Sequence, residues 1–158
     1  MNNRDMVVKR IIEWLNSEPL AYTLKENGSD RFRATIELSQ DLNLDVQLTS
    51  QRPDRITLLT NAYLGPDDQR AYSRLHREKK ESFLRAVRSA LLNIDVDHHI
   101  SPNADTLQSI IITKTIYFDG LTRDRFFDSL LVLKRAFSLL DLAYGDHLRF
   151  RSSNIVST

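Results

Sequence analysis

The sequence predicts a two-layer α+β domain: an antiparallel sheet with helices packed on one face, in the order α-β-β-β(-β)-α-β-β-α. Three observations predict it. First, four successive segments between Leu20 and Leu64 alternate apolar and polar residues, as strands with one buried and one wet face do. Second, the connections between them are short, so neighbouring strands run antiparallel and the helices must share one side. Third, Phe126, Leu130, Leu133, Phe137, Leu140 and Tyr144 recur every three or four residues, which keeps six large side chains on one face of a helix.

The elements follow in order. Val7, Val8, Ile11, Ile12, Trp14 and Leu15 form a broad apolar stripe on an N-terminal helix, with Trp14 as its anchor on the sheet. Asn16-Ser17-Glu18-Pro19 ends that helix, because the residue before a proline avoids the α region. Leu20, Tyr22 and Leu24 alternate, and Asn27-Gly28 suits a hairpin turn. Phe32, Ala34, Ile36 and Leu38 make the next strand, and Leu42, Leu44, Val46 and Leu48 the one after. Ile56, Leu58, Ala62 and Leu64 make the fourth, with Thr60 interrupting its apolar face.

Gly65-Pro66-Asp67-Asp68 opens a helix, with proline at the first position and two carboxylates at the positive end of the dipole. One long helix is expected to run to about Ile94, with Tyr72, Leu75, Phe83, Ala86, Val87, Ala90 and Ile94 on its buried face and Lys79 among them. Arg70, Arg74, Arg77, Arg85 and Arg88 fall on the other side, with Leu84, Leu91 and Leu92 beside them. Asp95–Ile100 reads as a short strand, Ser101–Asp105 as turn material and Leu107–Phe118 as a long central strand with apolar residues on both faces. An Asp119-Gly120 turn and a helix from Thr122 to about Tyr144 follow, with Thr122 as N-cap. Val132, Leu139 and Ala143 add a second apolar strip to that helix, which suits deep burial or a partner. Residues 1–148 read as one domain and 149–158 as a polar tail.

Composition bounds the function. A net charge of +1 gives no global attraction for nucleic acid or anionic membranes. The chain has no cysteine, hence no disulfide framework and no thiolate nucleophile or zinc–thiolate site, as suits a cytoplasmic protein. No apolar run approaches the length of a membrane span, and the first residues do not form a signal peptide.

No motif carries catalytic chemistry. The four glycines are scattered, so no loop cradles phosphate, and no serine stands in a nucleophile elbow. Asp95, Asp97, His98 and His99 are the best metal candidates, but adjacent strand residues point to opposite faces and cannot share an ion. Asp41-Leu42-Asn43-Leu44-Asp45 starts like a calcium loop, yet Val46 and Arg52 occupy the positions that need glycine and a carboxylate. No cofactor or metal is assigned, and the chain reads as a non-enzyme.

Three stretches carry a resemblance: Ile12-Glu13-Trp14-Leu15, Arg77-Glu78-Lys79-Lys80-Glu81-Ser82-Phe83-Leu84 and Ile116-Tyr117-Phe118-Asp119-Gly120-Leu121-Thr122. Through them the chain resembles a family of uncharacterised, mainly archaeal proteins with the type III secretion chaperone-like fold. The extra strand at Leu20–Lys25 departs from the minimal pattern. The resemblance implies a protein-interaction module, often dimeric, and nothing sharper, because a fold does not set a function. The expected partner-binding residues are Leu84, Leu91, Leu92, Arg77, Arg85 and Arg88, with a homodimer and an unidentified protein as partners. The alternative is a nucleic-acid-binding protein using the arginine face, which the near-neutral charge and the absence of interleaved aromatics disfavour.

Overall fold

A computed structural model describes residues 3–26 and 31–149. The Asn27-Gly28 turn and all but the first residue of the polar tail lie outside them. The elements are α1 (Asn3–Ser17), β1 (Ala21–Glu26), β2 (Arg31–Ser39), β3 (Leu42–Thr49), β4 (Arg52–Tyr63), α2 (Pro66–Ser73), α3 (Arg77–Leu92), β5 (Asp97–Pro102), β6 (Leu107–Tyr117) and α4 (Arg123–Tyr144). A 3₁₀ turn (Phe118–Gly120) joins β6 to α4, and a π turn (Gly145–Arg149) follows α4. The strands make one sheet in the order β1-β2-β3-β4-β6-β5, so β1 and β5 are its edges.

Two compact units are built from the chain: Met1–Thr60 with Thr113–Lys134, and Asn61–Ile112 with Arg135–Thr158. In the first, β1, β2 and β3 pair antiparallel, with Tyr22 opposite Ile36 and Ala34 opposite Val46. The expected alternation holds. Ala34, Ile36, Leu42, Leu44, Val46, Leu48, Ile56 and Leu58 are buried, while Asn43, Asp45, Gln47 and Thr57 are half-buried or exposed. One face is therefore covered, and Val7, Ile11 and Leu15 of α1 with Phe126, Leu130 and Leu133 of α4 supply apolar cover. Thr60, the interruption in the β4 pattern, is buried at no unsatisfied cost: its hydroxyl donates to the Asn43 carbonyl at 2.9 Å. On the open face Asp45 accepts from Arg33 and from the Thr35 hydroxyl. Leu24 is exposed because β1 is an edge strand.

Trp14 is half-buried rather than a full core anchor, its ring 5.6 Å from that of Phe126. Thr122 caps α4 as expected, its hydroxyl oxygen accepting from the Arg125 N–H at 3.2 Å. β6 is an interior strand, and the apolar residues on its outward side are covered unevenly: Leu107 is buried. Ile111 is half-buried and Tyr117 exposed, with the Arg55 guanidinium 4.5 Å above the Tyr117 ring.

In the second unit the expected long central helix is two helices. The first ends at Ser73, where the Arg74 N–H bonds to the Arg70 carbonyl, and the second starts from an extended His76. No glycine or proline stands at the break. Its trace in the sequence is Lys79, a cation inside the expected apolar stripe and exposed in the structure. Tyr72, Phe83 and Tyr144 meet edge-to-face and tilted, and the Tyr144 hydroxyl donates to the Ala62 carbonyl at 2.9 Å. Burial pushes the Tyr72 phenol above its usual range, and its hydroxyl donates to the Ala104 carbonyl.

Candidate interaction surfaces

The first unit holds a groove of about 510 Å³. Pro19, Leu20, Leu38, Phe127, Leu130 and Leu131 form its apolar lining, and Glu18, Arg123, Asp124 and Lys134 stand around it. Local sequence positions each part. Pro19 follows the end of α1 and delivers Leu20 to the start of β1. The β2–β3 register shifts between Glu37 and Ser39, and the residue within that irregularity is Leu38. On α4, Phe127, Leu130, Leu131 and Lys134 follow helical spacing. Arg123 braces one end: it donates to Glu18 Oε1 at 2.6 Å and Ser17 Oγ at 3.2 Å, and lies 5.4 Å from the Phe127 ring centre. Both partners of the ion pair are exposed, so it contributes about 1 kcal/mol at most and can yield to a ligand.

The groove leaves little mark on the sequence. Its traces are Phe127 and Leu131, large apolar residues that belong to neither apolar strip expected on α4; Leu131 is 52% exposed.

The expected contact residues on α3 divide. Leu84 and Leu91 are 3% and 2% exposed and lie in the core with Phe83 and Val87. Their expected place on the surface is corrected. The break before Arg77 lets α3 take its own rotation about its axis, and that rotation turns the leucines inward. Leu92 is 83% exposed. It shares the outer face of α3 with Arg77, Arg85 and Arg88, all exposed. Arg77 pairs with Glu81 at 3.1 Å, and on α2 Arg70 pairs with Asp67. Two of the five arginines expected to form a basic face thus already have carboxylate partners.

His98 stands half-buried on β5. Burial is the main force holding its pKa below 6.5, the positive charge of Arg88 adds to it, and Asp97 opposes both. The folded protein therefore favours the neutral ring. As pH falls below about 6.5 the unfolded chain takes up this proton first. The His98 contribution is intact above that pH and is lost as pH drops through the folded-state pKa. A residue-resolved NMR titration should find the His98 midpoint below 6.5 and raised in Arg88→Gln. An unchanged midpoint in that variant would remove Arg88 from its surroundings. Among the described residues no three His, Asp or Glu side chains group as they would around a metal ion, and no helix is long and apolar enough to cross a membrane.

Residues 7–143 match the model of a family described as "Uncharacterized conserved protein (DUF2299)". No curated protein matches the chain. Solved structures do. An uncharacterised protein from Methanothermobacter thermautotrophicus is 24% identical, with a TM-score of 0.77 over 92% of this chain and 99% of that one. YbjN from E. coli is 12% identical, with a TM-score of 0.58 over 89% and 93%. A chain of the ExsC–ExsE complex is 17% identical, with a TM-score of 0.56 over 90% and 92%. These likenesses show the fold alone, an α+β architecture, in agreement with the fold that the resemblance carried by the sequence implies.

Proposed function

We propose that this chain, which belongs to the DUF2299 family of uncharacterised conserved proteins, is a non-enzymatic protein-interaction module that receives an extended segment of a protein partner and works as a homodimer. The observation that carries the reading is the groove at the sheet edge. Six apolar residues line about 510 Å³, a volume in the range of ligand sites rather than of packing defects. The groove begins at Leu20, immediately before β1, and β1 is an edge strand whose outer side faces no further strand among the described residues. An extended segment can pair with such an edge while its apolar side chains enter the groove. The similar fold of a chain in the ExsC–ExsE complex, an assembly of two proteins, supports the same reading. A chain without cysteine suits a reducing compartment, and the cytoplasm is the proposed location.

The outer face of α3, with Arg77, Arg85, Arg88 and Leu92, is a second proposed contact, suited to a carboxylate-bearing partner. The nucleic-acid reading is weaker, because Asp67 and Glu81 already bind two of the arginines it needs.

The test uses the whole chain as bait, with amine cross-linking and peptide mapping of what it captures. Cross-links are expected at Lys134, which lines the groove, and at Lys25 on β1, rather than at Lys79 or Lys80 near the start of α3. Leu20→Glu and Phe127→Ala should each lower capture about tenfold or more, while Arg85→Ala keeps most of it. Cross-links concentrated on α3, or full capture by both groove variants, would refute the groove reading.

A further inference from the structure

α4 is one unbroken helix. Its core stripe (Phe126, Leu130, Leu133, Leu140 and Tyr144) is buried. At 3.6 residues per turn the opposite side carries Asp124, Asp128, Leu131, Arg135 and Leu142, flanked by half-buried Val132 and Leu139. A surface helix with one covered stripe is normally polar on that side. Here Leu131 and Leu142 are 52% and 62% exposed. The charges are ordered as well: Asp124 and Asp128 come before the Leu131-Val132 pair, and Arg135 comes after it. Among the described residues none of these three has an ion-pair partner within the chain.

We infer that this face is where two copies of the chain pair, with the two α4 helices antiparallel about a twofold axis passing between Leu131 and Val132. The inference rests on the homodimer proposed above and names its surface. A twofold contact is self-complementary, so every contact occurs twice. With the helices antiparallel, Leu131 faces the partner's Val132, and Arg135 faces the partner's Asp128. With the helices parallel, Asp128 would face the partner's Asp128 and Arg135 the partner's Arg135, which like charges oppose. Charge order therefore selects the antiparallel arrangement. A contact confined to one helix face buries less than the roughly 1,200 Å² at the low end of stable interfaces. The dimer is accordingly one that dissociates on dilution.

Sedimentation across a wide range of protein concentration tests this. The wild-type chain should show a concentration-dependent monomer–dimer equilibrium. Asp128→Arg and Arg135→Asp should each raise the dissociation constant about tenfold or more. Both residues are exposed, so at concentrations low enough to keep the chain monomeric neither change should alter the thermal unfolding midpoint. The double variant Asp128→Arg/Arg135→Asp restores opposite charges across the axis and should dimerise about as well as wild type. A double variant no better than the single ones would overturn the antiparallel register. A wild-type dimer untouched by either single change would overturn α4 as the surface while leaving the homodimer standing. A wild-type chain that stays monomeric at every concentration would overturn both.

Discussion

Leu91→Arg is expected to abolish cooperative folding. Leu91 is buried on the inner side of α3 with Phe83, Leu84 and Val87. Removing a buried leucine side chain costs about 2–5 kcal/mol by itself. Placing a guanidinium there adds the penalty of an unpaired buried charge, several kcal/mol more, and the strain of a longer side chain in a filled site. Together these approach the roughly 5–15 kcal/mol that holds a domain folded. Circular dichroism should show a lost or severely lowered thermal transition. Leu84→Ala, with no charge introduced, should stay folded with a midpoint lowered by about 5–20 °C. Leu92→Arg, one position further on but outward-facing, should change stability by no more than about 0.5 kcal/mol. If Leu91→Arg melts like wild type, α3 has a different rotation from the one described.

Phe126→Ala should be the most costly truncation in the first unit. Phe126 is completely buried on α4, with the Trp14 ring 5.6 Å away and the Phe127 ring 5.4 Å away. Deleting a buried phenylalanine side chain costs about 3–5 kcal/mol in lost transfer energy and residual cavity. The protein has one tryptophan, so the effect has its own optical reporter. Native-state fluorescence should shift to longer wavelength as Trp14 loses its aromatic neighbour and gains water. Denaturant unfolding should show a lower midpoint at an unchanged slope. An unshifted emission maximum with full stability would mean that α1 and α4 do not meet through this pair.

Much of the fold was legible because it rests on local periodicity. The strands from Phe32 to Ala62 announce themselves by alternation, and burial of Ile36, Val46 and Leu58 beside exposed Asn43 follows that alternation directly. The α4 stripe was legible for the same reason, at the helical period. Thr122 was legible as a cap because its hydroxyl acts within one turn. The break between Ser73 and Arg77 was not, since neither glycine nor proline marks it and the chain on both sides favours helix. On one continuous helix Leu84 and Leu91 would fall on the arginine side; on a separate α3 they are buried. Spacing shows which residues share a helix face, but where one helix becomes two, the second can rotate independently.

The sequence alone determined the element types, the one-sided sheet and the absence of any recognisable catalytic motif, because these depend on residue type and on spacings of two to four positions. Only the tertiary structure decided which leucines are core and which are surface. It also assembled the groove, which draws Pro19 and Leu20, Leu38, and Phe127 to Leu131 from three distant stretches of chain. The physical reason is range. Strand pleat and helix pitch repeat within a few residues and leave a pattern in the sequence, whereas a concave surface exists only where segments far apart in the chain pack together.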